Sequence, residues 1–276
     1  MSELTSYFTH GFNSDHNGWE SFFLYNPHLG WSWNYSFIPE DEKQLHKRLQ
    51  EEKNPAFPTN IINWDSGNIG DKFDSMISAI VAIFDADEVT KKHEQWSNAN
   101  ERAIEAGELL AYKINSAHKP GDHVVLSAHS LGTVVLYQAV QHIRKDITIY
   151  LFMMAGVLEK HDLEWLLFTH KNIALTYNLY SYNDHALNSI LPKFEPTIDE
   201  PIGNNAISSD IHPVCDINTG IDHSEYKTDS VRKIFVEFSQ RIDAFRNSRL
   251  GKILLTYFGD RYLDTPPTPL TPRLFK

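Results

Sequence analysis

The residues best suited to chemistry lie in the segment 122–135, DHVVLSAHSLGTVV. A β-branched, apolar run ends in Ala128-His129-Ser130-Leu131-Gly132, and a helical pattern begins at once. This is the G-x-S-x-G nucleophile turn with alanine in its first position. Such a turn strains the serine backbone, so the residues two before and two after it must be small. Ala128 and Gly132 meet that requirement. The turn is expected to lift the Ser130 hydroxyl above the strand end, at the positive pole of the following helix. The Leu131 backbone N–H would then face a developing oxyanion. The plainer alternative is a serine that caps a helix; a strand directly before and a helix directly after favour the nucleophile.

In enzymes built on this turn, a second oxyanion donor comes from the loop after an earlier strand, often marked by His-Gly. Tyr7-Phe8-Thr9-His10-Gly11-Phe12-Asn13 is such a strand and loop. Glycine there lets backbone approach a ligand closely. Phe12 is the first choice for the donor N–H and Asn13 the second. His10, Gly11, Asn13 and His129 are expected to contact substrate. A β-turn with a structural histidine is the alternative.

Nucleophile, acid and base follow one another in that order along such chains. Residues 172–187, NIALTYNLYSYNDHAL, give an apolar strand followed by Asp184. His223 comes 39 residues later, in GIDHSEY, a loop ahead of a predicted helix over 229–245. A base must reach across to the serine, and a loop allows it. Rivals stand at Asp162, Asp216 and Asp222 for the acid and at His212 for the base; His185 adjoins the acid too closely to pair with it.

These groups need a frame. Buried strands are predicted over 4–9, 60–64, 123–128, 147–153 and 175–181, and helices over 98–117 and 131–143. In the first helix Ala103, Gly107, Leu110, Ile114 and Ala117 share a face. Strands that alternate with helices imply a mostly parallel sheet covered on both sides, an α/β, doubly wound domain. One domain is expected over 1–258, with irregular insertions near 26–58 and 191–215. The first holds Trp31, Trp33 and Tyr35, a possible apolar lining or a plain cover for the sheet edge; the second holds four prolines. The Pro-rich tail 259–276 is not helical in pattern.

The formal net charge is −11, with Lys and Arg scattered, which disfavours nucleic acid or an anionic membrane as partner. A single cysteine, Cys215, excludes an internal disulfide and fits a reducing compartment. The first residues lack a basic, then apolar, leader. The longest apolar run, 76–84, is far short of the roughly 20 residues a membrane helix needs. A cytoplasmic location with no integral membrane segment is expected. The fourteen histidines show no His-x-x-x-His or His-Glu-x-x-His spacing, so neither metal nor organic cofactor is expected.

With these residues assembled, the chain resembles the α/β-hydrolase-fold domains typified by transmembrane and coiled-coil domain protein 4. The resemblance rests on His10–Phe12, the Asn-Trp-Asp-Ser segment at 63–66, Ser130–Gly132, Tyr-Ser-x-Asn-Asp at 180–184 and Gly-x-x-His-x-x-Tyr at 220–226. It implies an α/β-hydrolase fold and a hydrolase of undefined substrate. The elbow departs from it in opening with Ala128, and with the loop starting at residue 10 a sheet trimmed of the N-terminal antiparallel strands is expected. The residues point to acyl transfer on an ester or thioester, small or lipid. A peptidase using the same groups is the runner-up, and a binding protein on a hydrolase scaffold the reading from another class.

Overall fold

The computed structural model describes residues 4–12, 19–23, 59–66, 86–207 and 214–247. The first expected insertion, 26–58, the 76–84 run and the C-terminal tail 259–276 lie outside these residues.

Among the described residues six strands form one sheet: β1 (Leu4–Thr9), β2 (Thr59–Ile62), β3 (His123–His129), β4 (Thr148–Met154), β5 (Ile173–Tyr180) and β6 (Val214–Asn218). Their order is β2-β1-β3-β4-β5-β6, and all five described strand pairings are parallel. The expected α/β class with a mostly parallel sheet is therefore observed. β3 is buried along its whole length, as a central strand covered on both faces must be.

Among the described residues the helices are α1 (Trp19–Phe23), α2 (Ala86–Ala117), α3 (Gly132–His142), α4 (Lys160–Thr169), α5 (Leu191–Phe194) and α6 (Asp229–Asn247). Even-numbered residues of β1 and β4 meet α1 and α6: Phe8 packs on Trp19 and Phe23, and Phe152 on Phe235 and Phe238. The opposite face carries α3, with α2 packed on it. Each ring buried here removes apolar surface from water, the dominant favourable term for the fold.

Three differences from expectation have physical causes. Helix α2 starts at Ala86, twelve residues early, because its first turns are charged and give no apolar stripe. At its other end the buried face runs Leu110, Ala111, Ile114, His118, while Ala117 is exposed; the expected 103, 110, 117 spacing steps by seven residues and drifts about 20° per step from the face of a straight helix. Strand β6 falls where an irregular insertion was expected. It is half-buried at the sheet edge, interrupted by Asp216 and preceded by Pro213, so it shows neither alternation nor a continuous apolar run. The segment 191–215 thus opens with α5 and ends in β6.

The chain runs from β1 outward to β2 and then returns to the other side of β1 as β3. The direction of winding therefore reverses between β1 and β3. Ligand crevices of open parallel sheets form beyond the strand carboxyl ends at such a point.

Candidate active site

Thr9 pairs with Ala128, so the loops after β1 and β3 leave the sheet side by side at the reversal point. Ser130 follows β3 directly with φ at +54°, the left-handed region that a side chain occupies only at a cost. The turn is held from all sides. Ser130 N–H donates to the Met154 carbonyl at 3.0 Å, and the Ser130 carbonyl accepts from Thr133 N–H at 3.0 Å and Thr133 Oγ1 at 2.7 Å. Thr133 Oγ1 in turn accepts from Val157 N–H. A β-carbon on Gly132 would stand 2.5 Å from the Thr9 carbonyl oxygen and 2.7 Å from that of His10, so no side chain fits there.

Asp184 comes four residues after β5 and His223 five after β6. Tyr180 pairs with Asn218, so these two loops also leave the sheet together. His223 Nε2 lies 2.8 Å from Ser130 Oγ, and His223 Nδ1 lies 2.7 Å from Asp184 Oδ2. An ionised carboxylate only accepts, which assigns the proton on Nδ1 and leaves Nε2 to accept from the serine hydroxyl. Asp184 is fully buried, and His223 and Ser130 are 3% and 4% exposed. The low local dielectric strengthens both bonds. The three residues singled out in the sequence are thus one hydrogen-bonded chain.

Its members are tied down independently. The second Asp184 oxygen accepts the Leu187 N–H at 3.0 Å. His223 opens a 3₁₀ turn (His223–Tyr226) capped reciprocally by Asp222 and Glu225, and the Asp222 carboxylate also accepts the His185 N–H at 3.1 Å. The loops of Asp184 and His223 are thereby joined. Asp222 serves as a cap, Asp216 accepts from Asn178 and the Ile207 N–H, and Asp162 is exposed in the first turn of α4. None of these rivals is bonded to His223 as Asp184 is. His185 is exposed, and His212 lies outside the described residues.

Gly11 packs directly on the serine: a β-carbon there would sit 2.6 Å from Ser130 Cβ and 3.2 Å from Oγ. The loop is held by Trp64, whose indole N–H donates to the His10 carbonyl at 3.1 Å and whose ring stacks on the His10 imidazole. Phe12 is buried against Trp96, and Leu131 precedes α3, where the first N–H groups have no intrahelical partner. Asn13 lies outside the described residues. Besides stacking on Trp64, the His10 ring places its Nδ1 3.2 Å from the Gly11 carbonyl oxygen.

His129 sits behind His223. Its Nε2–H donates to the His223 carbonyl at 2.9 Å, and its ring packs among Trp19, His223 and Tyr226. Burial, reinforced by the nearby His223 imidazole, lowers its pKa well below the usual histidine range and keeps it neutral.

Ser130 and His223 open onto a cavity of about 320 Å³, part of it open to solvent, whose other walls are Trp96, Val157 and residues of the 186–194 segment. Among the described residues, no three His, Cys, Asp or Glu side chains are grouped to hold a metal ion, and no helix is long and apolar enough to cross a membrane. Thr133 and the cavity wall carry no motif signal of their own; Trp64 lies in the Asn-Trp-Asp-Ser segment, whose spacing does not show which carbonyl it holds, and the Asp-x-x-Glu pattern at 222–225 is a legible cap. No protein-family model matches the chain, and no curated protein matches it in sequence.

Proposed function

We propose that this chain is a serine hydrolase of the α/β-hydrolase fold that cleaves carboxylic esters, thioesters included, through an acyl-enzyme. The observation that carries the reading is the buried hydrogen-bonded chain Ser130–His223–Asp184, with its serine on a strained turn at a helix N-terminus.

Ser130 Oγ attacks the acyl carbon while its proton passes to His223 Nε2. Asp184 fixes the imidazole tautomer and stabilises the imidazolium without taking its proton. The oxyanion is met by the Leu131 N–H and by the N–H of Phe12 in the loop that Gly11 presses against Ser130. As the tetrahedral adduct collapses, His223 returns the proton to the departing alcohol or thiol, leaving an ester on Ser130. Water then attacks that ester, its proton going to His223 and on to Ser130 Oγ as the carboxylic acid leaves. Each step uses side chains already in hydrogen-bond contact.

Hydrolysis of p-nitrophenyl butyrate tests this. Ser130→Ala should lower kcat by about 10⁴-fold or more, and Asp184→Asn by roughly 10³–10⁴-fold, the cost of the wrong tautomer. Far-UV circular dichroism should be unchanged. A folded Ser130→Ala protein that retains wild-type turnover would overturn the proposal.

A further inference from the structure

The cavity at Ser130 differs in kind from the hydrogen-bonded chain beside it. Apart from Ser130 and His223, every described lining residue is apolar, and Trp96, Leu187, Ile190, Leu191 and Phe194 supply the largest side chains. Among the described residues, no Lys, Arg, Asp or Glu lines it. A charged group placed there would lose its hydration with nothing to replace it. The space is small, about 320 Å³ with its solvent-open part included, so it suits a short chain.

The wall is also built into the catalytic frame. Residues 186–194 follow Asp184 immediately as a π-helical turn (Ala186–Ile190) and α5, and that turn starts with its Leu187 N–H on Asp184 Oδ1. The carboxylate that orients His223 therefore also sets the position of the cavity wall. Trp96 and Phe194 close the far side with their rings stacked 6.4 Å apart.

We infer that this cavity is an acyl pocket, selecting esters whose acyl group is a short, uncharged aliphatic chain. The acyl group, not the alcohol, is the occupant because it remains bonded to Ser130 through both half-reactions. The leaving group must instead reach His223 Nε2 and then solvent. The inference rests on the hydrolase reading and adds substrate class to it.

The test is kcat/KM across p-nitrophenyl acetate, butyrate, octanoate and laurate, together with a hemisuccinate ester that puts a carboxylate where butyrate has a methyl end. Reaction of Ser130 with a fluorophosphonate is followed in parallel. Butyrate should exceed acetate by about tenfold, since each buried methylene contributes roughly a factor of four. Laurate should fall below butyrate, and the hemisuccinate should lie at least about 100-fold below it. In Ile190→Trp, which fills the cavity, the butyrate-to-acetate ratio should drop about tenfold; in Leu187→Ala, which enlarges it, the optimum should move to longer chains. A wild-type protein that labels at Ser130 yet shows a flat chain-length profile overturns the pocket and leaves the hydrolase standing. Ratios unmoved in both variants have the same meaning. Absence of label on the wild-type serine overturns the hydrolase reading, and the pocket with it.

Discussion

Ser130 is reactive in this account because of what its neighbours lack. The +54° φ leaves no room for bulk on either side, and three positions answer it: Ala128 at the strand end, Gly132 against the Thr9 and His10 carbonyls, and Gly11 against Ser130 itself. Gly11 is the sharpest case, because its missing β-carbon is the space that the serine fills. Gly11→Ala must push the loop outward by several tenths of an ångström or more. That displaces the proposed oxyanion donor, and errors of this size in a catalytic geometry cost on the order of 100-fold. The variant should therefore lose about 100-fold in kcat/KM on p-nitrophenyl esters and about 1–3 kcal/mol of stability from overpacking. Turnover assays and denaturant unfolding measure the two effects. Wild-type turnover in a folded Gly11→Ala protein would contradict the contact between this loop and Ser130. At the same scale, His129 shows how a residue flanking a motif changes meaning in three dimensions: adjacency to Ser130 suggested substrate contact, whereas its side chain holds the backbone of the base.

The elements were legible where the physics is local. Strands β1, β3, β4 and β5 are apolar runs bounded by polar turns, because both faces of each are covered, and their predicted limits fall within two residues of those observed. Ser130, Asp184 and His223 could be chosen before any coordinates, because a strand-to-helix serine turn and the order of loops along the chain leave few positions for them. Other elements were hidden. Strand β6 lies at an edge, where half-burial permits Asp216 in its middle. The cavity wall at 186–194 is a π-helical turn and a four-residue helix, too short for any period to show. Its apolar residues look like core until the chain folds them beside Trp96. Trp64 is 54 residues from the carbonyl it holds, a separation that sequence spacing cannot bridge.

At the scale of the whole molecule, the sheet brings four loops from β1, β3, β5 and β6 to one edge, and the buried core beneath them contains histidines that fold in the neutral form. Burial, with Arg246 nearby, lowers His123 to about 4, and burial also lowers His129 and His170. The unfolded chain binds protons at these sites below about pH 6.5, while the folded chain resists until lower pH. Folded stability is therefore fully present above about pH 6.5 and declines as pH falls toward 4, by roughly 2–3 kcal/mol from His123 alone. Thermal unfolding followed from pH 7.5 to pH 4.5 should show a falling Tm, and His123→Gln, which cannot titrate, should flatten the decline. A profile of unchanged slope in that variant would assign the acid sensitivity elsewhere.

The central claim is that the buried chain from Asp184 through His223 activates Ser130. Fluorophosphonate labelling, with mass spectrometry of the modified peptide, tests it without knowledge of the natural substrate. The account predicts one label, on Ser130, formed in the wild-type protein and lost in Ser130→Ala and His223→Ala while both variants remain folded. A folded wild-type protein that takes no label, or takes it on another serine, would contradict it.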